Sequence, residues 1–286
     1  MKLLSLLDTL GSAPALTSAT PASRRTLLRG AGHHLGQTLL AGLPVAATLP
    51  ATARPTETVF DSLSLLLALA DLQAALFTRA LDQQPGLVPA AARPGLERIR
   101  QLQRRQAAFL RGLYASAGAA VPTAATFDFS GSRNGSGPVL FPDTFASFDG
   151  FLRLAQPLAD AAAGAYLGQL PTLRNEPQLF GAALRRQAAE ARQAAHLRTL
   201  RRGAGPLPKS WPSPTDPAAP AALQAIQRGE DSTQQLLPTA TGLRFIDFYA
   251  LFSYDNPVQT TALAEAFDEP LPTEQVGALL TLFRTA

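Results

Sequence analysis

Apolar residues recur at helical spacing in four long stretches of this chain, and polar residues break three of the resulting stripes at mid-length. Over about Glu57 to Asp82, one face carries Val59, Leu63, Leu66, Ala70, Gln73 and Phe77. Over Pro94 to Ala117 it carries Leu96, Ile99, Gln103, Gln106, Leu110 and Leu113. A third helix is predicted over Asp149 to Leu170, closed by Pro171. The fourth spans Pro177 to Arg202, closed by Gly203, with Leu179, Ala183, Arg186, Glu190, Gln193, Leu197 and Leu200 on one stripe. Such spacing lines one side of a helix, so each stripe faces a core and its polar members fall inside it. A solvent-facing role does not fit them. Metal ligands or a closed hydrogen-bond network do.

Between the first two helices, Gln83 to Arg93 contains Pro85, Gly86 and Pro89, which is loop chemistry. Gly118 to Phe148 is much longer, with Phe127-Asp128-Phe129, a Gly/Ser/Asn stretch over Ser130 to Gly137, and then Pro138 and Pro142. That length suits a crossover from one end of a bundle to the other. Residues 204–240 are Pro-rich and read as an extended wrap; apolar turns follow at Leu243 to Tyr254 and Thr260 to Phe267, then a helix over Pro272 to Phe283. Trp211, Phe245, Phe248, Tyr249, Phe252 and Tyr254 read as tail aromatics packed on the bundle rather than a stacking platform. The fold expected is all-α: a four-helix bundle over 57–203 with a long crossover between helices 2 and 3. An irregular and helical extension over 204–286 packs on it, and 1–56 is a signal and spacer.

The amino terminus supplies the reason for that last division. Ser23-Arg24-Arg25-Thr26-Leu27-Leu28-Arg29 has paired arginines followed by apolar residues, the pattern of a twin-arginine export signal. A weakly apolar run from Leu35 to Leu49 is broken by Gly42 and Pro44, too short to anchor stably in a membrane. Ala51-Thr52-Ala53 then offers a small-x-small cleavage site. The chain is thereby expected in the periplasm or otherwise outside the cytoplasm.

Composition narrows the chemistry further. The 286 residues hold no cysteine, which removes disulfides, thiolate catalysis and sulfur-ligated metals. The net charge is +4, and since Lys2 and Lys209 are the only lysines, arginine carries it. The arginines are scattered and not interleaved with aromatics, so nucleic acid is not expected as a partner. Of three histidines, His33 and His34 fall in the expected signal. His196 lies six residues from Glu190, about 240° around the helix, so the two cannot chelate one ion. Glu190 itself reads either as a buried carboxylate held by glutamine amides and Arg186, or as half of an exposed i, i+4 pair with Arg186.

The short segments Thr126-Phe127-Asp128-Phe129, Phe141-Pro142-Asp143, Gly164-Ala165-Tyr166-Leu167-Gly168, Glu190-Ala191-Arg192 and Phe267-Asp268-Glu269-Pro270-Leu271 occur in this order. Together they resemble the exported ferritin-like proteins of the desiccation-related family. That resemblance implies a ferritin-like bundle in which helices 1 and 3 each give a Glu and helices 2 and 4 each give Glu-x-x-His. At the corresponding positions this chain has Ala70 or Gln73, then Gln103 and Gln106, then Ala159, then Glu190 and Gln193. Asp160 neighbours Ala159 but points about 100° away. One ligand of six is kept, so these positions are expected to be vestigial, with no metal, no other cofactor and no catalytic residue. The function expected is a non-catalytic ferritin-like protein of the bacterial envelope, related to stress or desiccation. It would act as a homo-oligomer or with a related, metal-competent ferritin-like partner. The alternative is a di-metal iron oxidase or store whose site is displaced or completed at an interface.

Overall fold

The computed structural model describes residues 58–203, 208–227, 234–239, 242–247, 261–262, 264–266 and 268–285. The signal-like segment and Phe248, Tyr249, Phe252 and Tyr254 lie outside them. Four long helices run α1 (Val59–Thr78), α2 (Arg93–Ser116), α3 (Phe148–Leu173) and α4 (Pro177–Arg202), and α5 (Thr273–Phe283) lies in the tail. The four long helices form an all-α bundle.

Local chemistry sets the helix ends. Thr58 and Asp61 close a capping box at the start of α1: Asp61 N donates to Thr58 Oγ1 at 3.1 Å, and Thr58 N donates to Asp61 Oδ2 at 2.9 Å. Ser147 caps α3 by accepting from Gly150 N at 3.0 Å. Proline occupies the first turn of both α2 and α4, where its missing N–H costs nothing. Gly203, at φ +56°, ends α4 in a conformation that disfavours other residues. Two ends differ from expectation. The first helix widens into a π-helical turn over Arg79–Gln83 before it stops. Pro171 does not close α3: the helix runs on to Leu173, whose side chain is buried in the core. Burial of that leucine offsets the hydrogen bond the proline cannot donate.

The apolar stripes meet as the spacing requires. Leu63, Leu66, Phe77, Leu96, Ile99, Leu110, Leu113, Leu179 and Leu197 are all buried in one core. Phe77 of α1 meets Phe151 of α3 edge to face at 5.7 Å between ring centres. The helix α1 and its π-turn are long and apolar enough to cross a membrane, but half of that window is buried inside the bundle, which accounts for its composition. Helices α1 and α2 pack as one pair, α3 and α4 as another, and α1 packs on α3. The fourth side, between α2 and α4, is the open seam of the bundle.

The crossover and tail brace each other. Asp128 N donates to Phe283 O at 2.7 Å and Thr285 N to Thr126 O at 3.1 Å, while Phe141 stacks on Phe283 at 5.2 Å. The segment before α5 lies on α3, where Leu271 N donates to Gly164 O at 2.8 Å. A Cβ at Gly168 would stand 2.1 Å from Leu271 O, so only glycine admits this approach. The glycines of Gly164-Ala165-Tyr166-Leu167-Gly168 and the tail's Glu269-Pro270-Leu271 are thus two halves of one contact.

Three expectations for the tail are corrected. The Pro-rich wrap is not extended throughout, since Ala221–Gln227 forms a 3-10 helix. Gln234–Thr239 and Gly242–Asp247 pair as an antiparallel hairpin, where a wrap and apolar turns were expected. Trp211 does not bury its ring: it is 50% exposed, its indole N–H donating to Glu265 Oε2 at 3.1 Å.

Candidate functional site

The polar residues that interrupt the stripes of α1, α2 and α4 converge at mid-bundle. Glu190 is 1% exposed, so it is not half of a surface pair. Arg186, one turn before it, forms an ion pair with its Oε1. Gln103, fully buried on α2, donates through Nε2 to both carboxylate oxygens, at 3.1 and 2.9 Å, and to Gln193 Oε1 at 3.0 Å. The Gln103 carbonyl accepts from Arg186 Nη2 at 2.8 Å. One amide therefore ties a carboxylate, a guanidinium and a second amide together. Burial pushes the Glu190 carboxyl above its ordinary range, against the opposing pull of Arg186 and of the bonds from Gln103.

The expected glutamine cage closes only in part. Gln73 approaches Glu190 from α1 and favours its charged form, yet neither atom of its amide makes a well-formed hydrogen bond. Arg186 Nε and Gln193 Nε2 are likewise buried without partners. Gln106 does not reach Glu190 at all: its Nε2 donates to Tyr166 OH on α3 at 2.8 Å. Position 106 lies one turn from position 103 and about 60° around the helix, and from there its amide meets α3. Tyr166 was not expected here, although it sits in the Gly164 to Gly168 motif. Burial raises its phenol well above the usual range, and the Glu190 charge raises it further. Ala159 on α3 is buried and, like Ala70 on α1, offers no ligand atom.

Asp160 serves a different structure. It holds Arg198, which is 2% exposed, through bonds of 3.0 and 2.7 Å. Arg198 also pairs with Asp216 and donates to Trp211 O at 3.1 Å. This buried guanidinium fastens residues 211–216 to the bundle.

Two clefts flank the central cluster along the open seam. One, about 300 Å³, is lined mostly by leucine and alanine, with Gln106, Tyr166, Arg185 and Arg186 as its polar wall. The other, about 560 Å³, lies toward the start of α2 and includes Gln193 and His196. Among the described residues no three His, Cys, Asp or Glu side chains come together.

A mid-bundle polar cluster fed by paired antiparallel helices defines the ferritin-like class of four-helix proteins. The family model of the ferritin-like domain matches residues 58–203, just over half the chain, and the protein belongs to that family. A comparison with curated proteins finds no match.

Proposed function

We propose that the protein is a metal-free, non-catalytic ferritin-like protein of the bacterial envelope that works by binding. The observation that carries this reading is the ion pair of Glu190 and Arg186, capped by Gln103, at the centre of the bundle. A carboxylate-bridged metal pair needs several anionic carboxylates and imidazoles around two cations. Here one carboxylate is already neutralised by a guanidinium, the neighbours are neutral amides, and His196 lies exposed on another face of α4. Placing dications beside Arg186 adds like-charge repulsion with too little anionic charge to offset it. The residues do not fit the pair that the family fold would accommodate.

The paired Arg24-Arg25 and Ala51-Thr52-Ala53 support export, and the likeness to desiccation-related proteins supports a role in stress tolerance. Self-association, or assembly with a metal-competent relative, is how such a scaffold would act. Elemental analysis of the protein purified after growth with added iron, manganese and zinc tests the central claim. The expected content is well below one metal per chain. Two metals per chain would overturn it.

A further inference from the structure

The larger cleft of the open seam has a chemistry that the central cluster does not use. Arg98 of α2 and Arg192 of α4 stand on its opposite walls, with His196 one turn beyond Arg192. No acidic side chain lines it, and no described acid pairs with either arginine through a salt bridge. Gln193 forms part of its floor and is 5% exposed. Its Oε1 is taken by Gln103, which leaves Nε2 as a buried donor with no acceptor. Ile99 and Leu102 supply an apolar wall. The imidazole is seated against the backbone of α2 because position 95 is glycine: a Cβ there would stand 2.4 Å from His196 Nε2.

We propose that this cleft binds a small organic phosphate, the phosphate held by Arg98, Arg192 and His196 and its organic part resting on Ile99 and Leu102. Two guanidinium groups and an imidazole offer more donors than the two oxygens of a carboxylate can accept. A phosphate monoester presents three terminal oxygens and close to two negative charges, which matches the two arginines. The apolar wall and the volume of about 560 Å³ leave room for more than inorganic phosphate. This site stands whether or not the bundle centre takes metal, since Arg98, Arg192 and His196 make no bond to the central cluster.

Calorimetric titration of the full chain with phenyl phosphate, inorganic phosphate and benzoate tests the proposal. Phenyl phosphate is expected to bind tightest, inorganic phosphate several-fold more weakly, and benzoate at least tenfold more weakly than phenyl phosphate. Arg98→Ala/Arg192→Ala removes two exposed side chains, so the fold is expected to persist, and affinity for phenyl phosphate should fall at least tenfold. Gly95→Ala, which displaces the imidazole, should weaken binding in the same direction. The charge-matched control Arg153→Ala/Arg174→Ala alters exposed arginines outside the cleft and should bind as the parent does. The proposal is overturned if phenyl phosphate fails to bind at millimolar concentration. Benzoate binding as tightly as phenyl phosphate would also overturn it, as would equal losses in the two double variants.

Discussion

Removing the Glu190 carboxylate should destabilise the fold more than any change at an exposed carboxylate, because its loss strands a buried cation. Glu190→Ala leaves Arg186, whose side chain is only 10% exposed, without its counter-ion. It also removes two acceptors from Gln103 Nε2. Breaking one side of a buried ion pair costs about 3–5 kcal/mol. For a domain of this size that corresponds to a melting temperature lower by roughly 6–20 °C. Glu190→Gln keeps the volume and one acceptor, so its loss should be about 1–3 kcal/mol. Arg186→Met/Glu190→Leu removes both charges and should recover much of what Glu190→Ala loses, since apolar pairs often replace buried ion pairs at little cost. The raised carboxyl pKa fixes a pH trend. Its stabilising contribution is full below the ordinary glutamate range and declines as the pH rises toward the folded value. The gap between the parent and Glu190→Gln should therefore narrow as the pH climbs from about 4. Chemical denaturation at several pH values reads all of this. An unchanged midpoint for Glu190→Ala, or a double variant whose loss equals the sum of the single losses at positions 186 and 190, would refute the buried pair.

Three other outcomes follow from separate sites. Asp268 is pushed up to about 6 by burial and by the neighbouring Asp160 charge, so its contribution is full below about 3.8 and lost as the pH rises through 6. Asp268→Asn should thus stabilise the protein at pH 7 by on the order of 1 kcal/mol, after allowance for solvent screening, and give no gain at pH 4; equal effects at both would sink the assignment. Gly168→Ala drives a Cβ into Leu271 O and should cost about 1–3 kcal/mol while exposing the tail to protease, which a digestion time course would show or deny. Arg24→Lys/Arg25→Lys should hold the precursor in the cytoplasm; an unchanged envelope fraction by immunoblot would count against export.

The parts of the fold that were legible in the sequence are those governed by one helix at a time. A glutamine or glutamate at a core-facing heptad position has to be buried, and Gln73, Gln103, Glu190 and Gln193 are. Arg186 as the partner of Glu190 followed from i, i+4 spacing. What spacing along one helix does not carry is which neighbouring helix each polar head will meet. Gln106 meets Tyr166 of α3 and not Glu190 of α4. The Asp160–Arg198–Asp216 clamp joins residues far apart in the chain, and nothing local in any of them marks the others. The hairpin was hidden for a different reason. Pro238 lies inside its first strand, and Thr239 to Gly242 lacks an Asn-Gly or Asp-Gly turn.

The central cluster and the open seam bear on each other. Carboxylate–metal bonds in a di-metal bundle draw all four helices toward one point. In this chain the α2–α4 side is bridged by the buried amide of Gln103, which reaches Arg186, Glu190 and Gln193, and by His196 seated against Gly95. Hydrogen bonds of that kind contribute about 1–3 kcal/mol each, far less than metal ligation. The other three helix contacts bear most of the packing, and the tail adds support by closing over Gly164 and Gly168 on α3. A bundle held on three sides can leave its fourth side ajar. The two clefts lie along that side, one lined by leucine and the other rimmed by arginine. The ion pair and its amide thus hold the centre of the bundle, while the clefts on either side of them leave room for ligands.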